Sequence, residues 1–380
     1  MIQKITRYTF TIITIAILFV LSSANVLSNS NKIKVDSLSD RYKELFYLGA
    51  AINEDIVLGK DVQSENIVTS EFNSITPENS LKWMCLQPSP NKFNFVAADK
   101  YVELGIKNNM NIVGHTLVWH NQLADFMKNT SSSAAFTNHV KNHIHTVVSR
   151  YKGKIDAWDV VNEAFKEDGS LRPTVFKKQM GENYIEDVFK LAETADPDAD
   201  LIYNDYNLYK PAKRAGVLKM VKKLQANGIK INAIGVQAHW KLKSPSLNEI
   251  EQMILDISAA GVDLMLTELD ITVLPNPWEL VGAEVTRNFS KFEGDPKMDP
   301  YPNGLPKEIE IQLAKRYKDI FKLFMKHQDK ISRVTFWGVI DQHSWLNDWP
   351  IKGRTNYPLL FDREYQPKLA YKTLVNLMEN

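Results

Sequence analysis

The chain has 380 residues and a formal net charge of +1, from 46 Lys and Arg against 45 Asp and Glu. That balance leaves no basic footprint for nucleic acid. The one cysteine, Cys85, excludes an internal disulfide and a cysteine-held metal, and reads as a small core residue.

The first residues read as an export signal. Lys4 and Arg7 supply a positive start, an apolar run of about thirteen residues follows from Thr9 to Leu21, and Ser22, Ser23 and Ala24 offer a cleavage site. A membrane-spanning helix needs roughly 20 apolar residues, so an uncleaved anchor is only the alternative, and no stable membrane partner is expected. Residues 1–24 are therefore set aside as a signal peptide. Residues 25–380 are expected to form one domain, secreted or periplasmic, and a monomer.

Beyond the signal, short apolar runs alternate with amphipathic stretches. The expected strands are Tyr47–Ala51, Glu71–Ile75, Asn111–His115, Asp156–Val161, Leu201–Asn204, Ala233–Val236, Leu264–Thr267 and Arg333–Phe336. Between them lie helical patterns at Ala98–Lys107, Asn138–Tyr151, Gly181–Glu193, Ala212–Asn227 and Glu308–His327. Alternation of this kind argues for parallel βαβ units. Eight units in one domain argue for a closed α/β (β/α)8 TIM barrel, with an open doubly wound sheet as the alternative.

Barrel enzymes place their chemistry at the C-terminal ends of the strands. Polar, aromatic and ionisable residues follow seven of the eight runs: TPENSLKW (76–83), HTLVWHNQ (115–122), NEAF (162–165), NDYN (204–207), QAHW (237–240), TELD (267–270) and WG (337–338). Two carboxylates lead, Glu163 after the fourth run and Glu268 after the seventh. Either alone reads as a solvated or ion-paired strand end. Together at one end of one barrel they suit glycoside hydrolysis, in which one carboxyl is the acid and the other the nucleophile or the base for water.

Period-two alternation puts Glu268 and Asp270 on one face, and Gln237 and His239 on one face. His239 could then hydrogen-bond Glu268 and keep it ionised, with Asp270 fixing the histidine tautomer. Asn162 and Glu163 are adjacent, so both reach one pocket only if the pleat breaks at the strand end. His115 and His120 would diverge on an extended segment, and no His-Glu metalloprotease spacing occurs, so no metal is expected. Trp83, Trp119, Trp240, Trp337 and Trp345 divide between core packing and stacking on sugar faces. Glu78 and Lys82, after a helix start expected at Pro77, are either a surface pair or a clamp on sugar hydroxyls.

The strings FNSITPENSLKW, GHTLVWH, WDVVNEAF, NDYN, GVQAH, TELD, VTFWG and PLLFD together resemble family 10 glycoside hydrolases, the endo-1,4-β-xylanases, over residues 40–375. The resemblance implies a retaining enzyme without a cofactor, acting inside xylan and xylooligosaccharide chains. It implies that Glu163 is the acid/base, Glu268 the nucleophile, His239 the residue orienting it, and Asn162 a partner of the sugar 2-hydroxyl. Glu78, Asn79, Lys82, His115, Trp119, Gln122 and Gln237 would line the glycone subsites. Trp337 and Trp345 would cover the sugar beside the scissile bond, and Tyr206 would face the leaving group. Ala124, Phe126 and Leu369 depart from the family pattern, and Pro275–Pro306 is long for a βα loop. A silent xylan-binding barrel and a β-1,4-glucanase are the competing readings.

Overall fold

The computed structural model describes residues 37–277, 280, 285, 287 and 289–378; the expected signal peptide lies outside these residues. Nine parallel strands form the sheet: β1 Tyr47–Ile52, β2 Ser74–Pro77, β3 Asn111–Trp119, β4 Ala157–Asn162, β5 Asp200–Asp205, β6 Ala233–Val236, β7 His239–Lys241, β8 Asp263–Thr272 and β9 Ile331–Phe336. Each neighbour pairs with the next from β6 back to β1, then through β9 to β8, and β8 also pairs with β6. That last pairing closes the ring, so the open-sheet alternative is excluded. β6 and β7 are one stave of an eight-stave barrel, interrupted at Gln237 and Ala238.

Eight long helices follow the staves: α1 Val62–Glu71, α2 Val96–Lys107, α3 Ser133–Arg150, α4 Tyr184–Ala195, α5 Pro211–Ala226, α6 Leu247–Ser258, α7 Lys307–Lys326 and α8 Leu369–Leu377. Their starts and buried faces follow from sequence. A capping box of Ser246 and Glu249 opens α6, and its buried Ile250, Met253, Ile254 and Ile257 recur at helical spacing. Pro211, with no N–H to lose, takes the first turn of α5.

Several boundaries differ from expectation: β3 runs past His115 to Trp119, and β8 runs past Thr267 to Thr272, so that Glu268 lies within a strand. Glu71 ends α1 rather than opening a strand, because Asp61 caps a helix that runs through Val68. Pro77 ends β2 instead of starting a helix, since Pro77 pairs with Ile52 of β1 and the Glu78 N–H continues to the Ile52 carbonyl.

Apolar side chains fill the layer between staves and helices, and Ala157, Ile202, Ala233 and Met265 form a separate small cluster. Toward the strand C-termini polar groups replace them. There the ladders slip, between His115 and Val118, between Asp159 and Val161, and between Leu266 and Leu269. Such irregularities re-aim side chains next to sites. Among the described residues no helix is long and apolar enough to cross a membrane.

Candidate active site

A cavity of about 380 Å³ opens at the C-terminal end of the barrel. It is lined by Glu78, Asn79, Lys82, His115, Trp119, Gln122, Asn162, Glu163, Gln237, His239, Glu268, Trp337 and Trp345, all sequence candidates, and by Val285 from the long loop. Two candidates stand apart. Asp270 lies behind His239. Tyr206 is 3% exposed and does not line this cavity; its hydroxyl accepts a hydrogen bond from Arg172. Arg172 and Lys213 face its ring, at 5.6 and 3.6 Å from the centroid.

Glu163 follows β4 with φ 59°, the left-handed region that a bulky side chain rarely occupies. That reversal is the expected break in the pleat: it turns Asn162 and Glu163 into one cavity. The carboxyl accepts from Trp119 Nε1 at 2.9 Å and from Gln237 Nε2 at 3.0 Å. Burial pushes its pKa up to about 7, helped by the negative charges of Asp205 and Glu268 and opposed by the Gln237 and Trp119 hydrogen bonds.

Glu268, inside β8, is equally buried but biased the other way. Burial would raise its pKa. The His239 hydrogen bond, charge from His115 and His239, and the Asn204 amide outweigh burial and hold it below the ordinary range. His239 Nε2 stands 3.1 Å from Glu268 Oε2, and His239 Nδ1 stands 2.9 Å from Asp270 Oδ2. Burial disfavours the imidazolium, yet the Asp270 and Glu268 carboxylates push the His239 pKa up to about 10. The ring is therefore a cation donating both N–H groups near neutral pH. Gln237 and His239 do converge, but not by unbroken alternation: Ala238 has φ 57°, which separates β6 from β7.

A continuous hydrogen-bond chain joins the two carboxyls. Gln237 donates to both Glu163 and, at 3.3 Å, Asn162 Oδ1. Asn204 Nδ2 donates to Asn162 Oδ1 at 2.9 Å and to Glu268 Oε1 at 2.8 Å. With its oxygen engaged twice, Asn162 has its amide nitrogen to offer the cavity. Thr267 fixes Asn204 by donating to Oδ1 at 2.6 Å. Gly235 makes the room, since a Cβ there would sit 2.4 Å from Asn204 Oδ1.

One wall is polar. Asn79 Oδ1 accepts from Lys82 Nζ at 3.1 Å and from Gln122 Nε2 at 3.3 Å, and Lys82 lies 5.0 Å from the Trp119 ring centroid. Lys82 is buried and faces Glu78, so the surface-pair reading of these two residues fails. Burial lowers the Lys82 pKa against the pull of Glu78, Glu268 and Glu163, and raises that of Glu78 against Lys82. The other wall is aromatic. Trp345 stacks on Trp349 at 4.5 Å and donates to Asp270 Oδ2 at 2.8 Å, while Trp337 meets His115 edge-on at 5.4 Å. Trp83 and Trp240 are packing residues, against His143 and Phe324.

Sequence reasoning passed over Asn204, Thr267 and Asp159. Asn204 opens the NDYN string and was available there. Asp159, a carboxylate within an apolar run, carries His115 at 2.8 Å. Among the described residues no three His, Cys, Asp or Glu side chains are placed to hold a metal ion.

The glycosyl hydrolase family 10 model matches residues 37–377. Endo-1,4-beta-xylanase A of Xylanibacter ruminicola is 40% identical over 348 residues, covering 90% of this chain and 94% of the relative. The endo-1,4-beta-xylanase of Geobacillus stearothermophilus is 38% identical over 350 residues, covering 90% and 99%. A solved family 10 endoxylanase from a sugarcane soil metagenome shares 45% identity at a TM-score of 0.84, over 90% of this chain and 99% of that one. Matched along the whole barrel, strand ends included, the chain belongs to glycoside hydrolase family 10.

Proposed function

We propose that the protein is a secreted or periplasmic endo-1,4-β-xylanase that cuts internal bonds of xylan with retention of anomeric configuration. The observation that carries this reading is two equally buried carboxyls in one cavity with opposite company: Glu163 accepts from the neutral donors Trp119 and Gln237, and Glu268 lies against His239, so burial raises the pKa of the first while its neighbours lower that of the second. The named xylanase activity of the relatives supplies the substrate.

The chemistry follows from the two biases. Glu268 attacks the anomeric carbon as the glycosidic bond breaks, and Glu163 gives its proton to the departing oxygen. A glycosyl ester on Glu268 results. Ester formation removes the Glu268 charge, one of the influences raising the Glu163 pKa, so Glu163 becomes better suited to stay ionised. It then takes a proton from water as that water attacks and the ester bond breaks. Lys82, Asn79 and Gln122 suit sugar hydroxyls, and the Trp337–Trp345 wall suits an uncharged sugar face.

All the residues of this cycle come from one barrel, which fits a monomer needing neither cofactor nor metal. The apolar start before Ser22 supports export, with residues 1–24 removed and 25–380 retained. Proton NMR of the first products from xylan tests the proposal. A β-configured reducing end and short oligomers are expected before mutarotation. An α-configured end, or xylose as the sole early product, overturns it; the N-terminus of exported protein tests the cleavage.

A further inference from the structure

Behind the acid/base carboxyl lies an ionic cluster that the chemistry above does not use. Asp205 ends β5 and Lys213 lies on α5; both side chains are fully buried, with Lys213 Nζ 2.7 Å from Asp205 Oδ1. Tyr203 donates to Asp205 Oδ2 at 2.6 Å, and the same hydroxyl accepts the Ala164 N–H at 2.9 Å. Asp205 Oδ1 also accepts the Tyr206 N–H at 2.9 Å, and the Asp205 carbonyl accepts the Gln237 N–H at 3.1 Å. Two neighbours of the working carboxyl therefore hang from Asp205: Ala164, the next residue, and Gln237, its hydrogen-bond donor.

Stability gives a weak reason for this pair. A buried ion pair contributes little over well-packed apolar residues of similar volume, because desolvation offsets the Coulombic gain. Geometry gives a stronger one. Glu163 holds a left-handed φ, which persists only where the surroundings over-determine it. The Tyr203 hydroxyl catches the N–H directly after that residue. From the other side, the Arg172 N–H reaches the Ala164 carbonyl at 2.7 Å, and Arg172 Nε reaches the Phe165 carbonyl at 3.0 Å.

We propose that Asp205 and Lys213 are a positioning pair for Glu163, in which Asp205 anchors the turn that carries the carboxyl and presents it with a fixed negative charge that Lys213 limits. This rests on Glu163 being the acid/base. The charged groups facing Glu163 are Asp205 from β5, Glu268 from β8 and Lys82 from the segment after β2. Its other contacts, Trp119 from β3 and Gln237 after β6, are neutral donors. Asp205 in turn faces Lys213 from α5, Tyr203 from its own strand and Tyr184 from α4. Lys213 also stands 3.6 Å from Glu167 Oε1 and 3.6 Å from the Tyr206 ring centroid. Asp205 is the largest charge acting to keep the Glu163 proton, so the pair sets where the acid is lost as pH rises.

The test is the alkaline limb of kcat/KM on xylooligosaccharides, measured for Asp205→Asn, Lys213→Met and the double variant. Removing the anion should move the limb down by about one pH unit, and removing the cation should move it up by a similar amount, the scale of a neighbouring charge. The double variant should fall between the two and below the unmutated enzyme. On an aryl xyloside whose leaving group needs no proton, none of the three should alter the alkaline dependence. A role confined to folding would instead lower activity at every pH and on both substrates, and limbs that stay fixed or all move one way overturn the proposal. If a single variant does not fold, the double variant decides: a lowered limb supports the pair and an unmoved limb overturns it. Glu163→Gln is the control. If that variant keeps the unmutated rate on xylooligosaccharides, the acid/base assignment has failed, whatever Asp205 does.

Discussion

The two halves of the cavity enclose the same functional group. Glu163 is 4% exposed and Glu268 5%, so burial presses both toward the protonated form. What differs is company. Around Glu163 stand two neutral donors, the anions Asp205 and Glu268, and Lys82; around Glu268 stand His239, His115 and the Asn204 amide. Burial sets the penalty for charge, and the neighbouring charges and hydrogen-bond donors together decide whether it is met. Pairs of groups pushed apart in this way mark acid and base assignments.

The strongest way to break the comparison is to remove each carboxyl. Glu268→Ala should lose activity on every substrate, on the order of 10⁴-fold or more, the scale for removing a reacting group. Any azide rescue should give the α-azide by direct displacement. Glu163→Ala should lose roughly 10²–10⁴-fold on xylan, the range for a general acid. On aryl xylosides with good leaving groups it should still form the glycosyl-enzyme, then stall; azide should relieve the stall and yield the β-azide. Product analysis by NMR separates the two. Identical behaviour would mean that the halves are not distinct in role.

Removing the cation rather than the carboxyl asks what holds Glu268 ionised. His239→Gln keeps a donor and deletes the charge. The Glu268 pKa should rise once the His239 charge is gone, so the acid limb of kcat/KM should move to higher pH, with activity lost first at the acid end. The alkaline limb, set by Glu163, should move far less. An unmoved acid limb would transfer the effect to His115.

Stability offers a gentler probe of the Glu163 half. Its folded pKa of about 7 lies above its unfolded value of about 4.5. Between those values the folded chain keeps a proton that the unfolded chain has released. Stability should therefore fall as pH rises from about 4.5 to about 7, by about 3 kcal/mol from this group, and level off above. Glu163→Gln cannot ionise. Its melting temperature relative to the unmutated enzyme should rise across that window, whatever fixed cost the amide brings at Trp119 and Gln237. A constant difference across the window would mean that Glu163 is not held protonated.

Much of this was legible in the sequence, for reasons that differ by residue. The barrel could be read because period and spacing survive in the one-dimensional pattern: α6 and α7 bury every third or fourth residue. Glu163 and Glu268 could be read because a carboxylate after an apolar run breaks that pattern. Asn204 was harder, since it acts only by meeting Asn162 and Glu268 across β4, β5 and β8, and such a meeting depends on Gly235 leaving space. His239 shows a different limit. Its position was readable, but its charge depends on Asp270 and Glu268 both approaching within hydrogen-bond distance. The surroundings of Tyr206 were not readable, because the cations around it, Arg172 and Lys213, come from elements remote in sequence.

The smallest expected effect concerns the aromatic wall rather than the carboxyls, and it sharpens the comparison by testing a cavity residue that bonds to neither of them. Trp337 is 7% exposed, with its ring edge-on to His115 and 6.4 Å from His239. Xylose lacks the C6 hydroxymethyl of glucose, so on the proposed function the volume beside Trp337 and Trp345 would govern which sugar fits. Discrimination over one extra carbon-sized group in a pocket amounts to only about 1–3 kcal/mol. One wall residue can carry much of that. Trp337→Phe should raise the ratio of cellooligosaccharide to xylooligosaccharide turnover by up to about tenfold, while leaving the pH limbs where they were, because neither carboxyl bonds to the indole. Side-by-side product analysis on both oligomers measures the ratio. If the ratio stays fixed, the wall that excludes C6 is Trp345, or Val285, which also lines the cavity. If the limbs move instead, Trp337 supports the His115 and His239 charges more than it gates the sugar, and the aromatic wall belongs with the nucleophile's half.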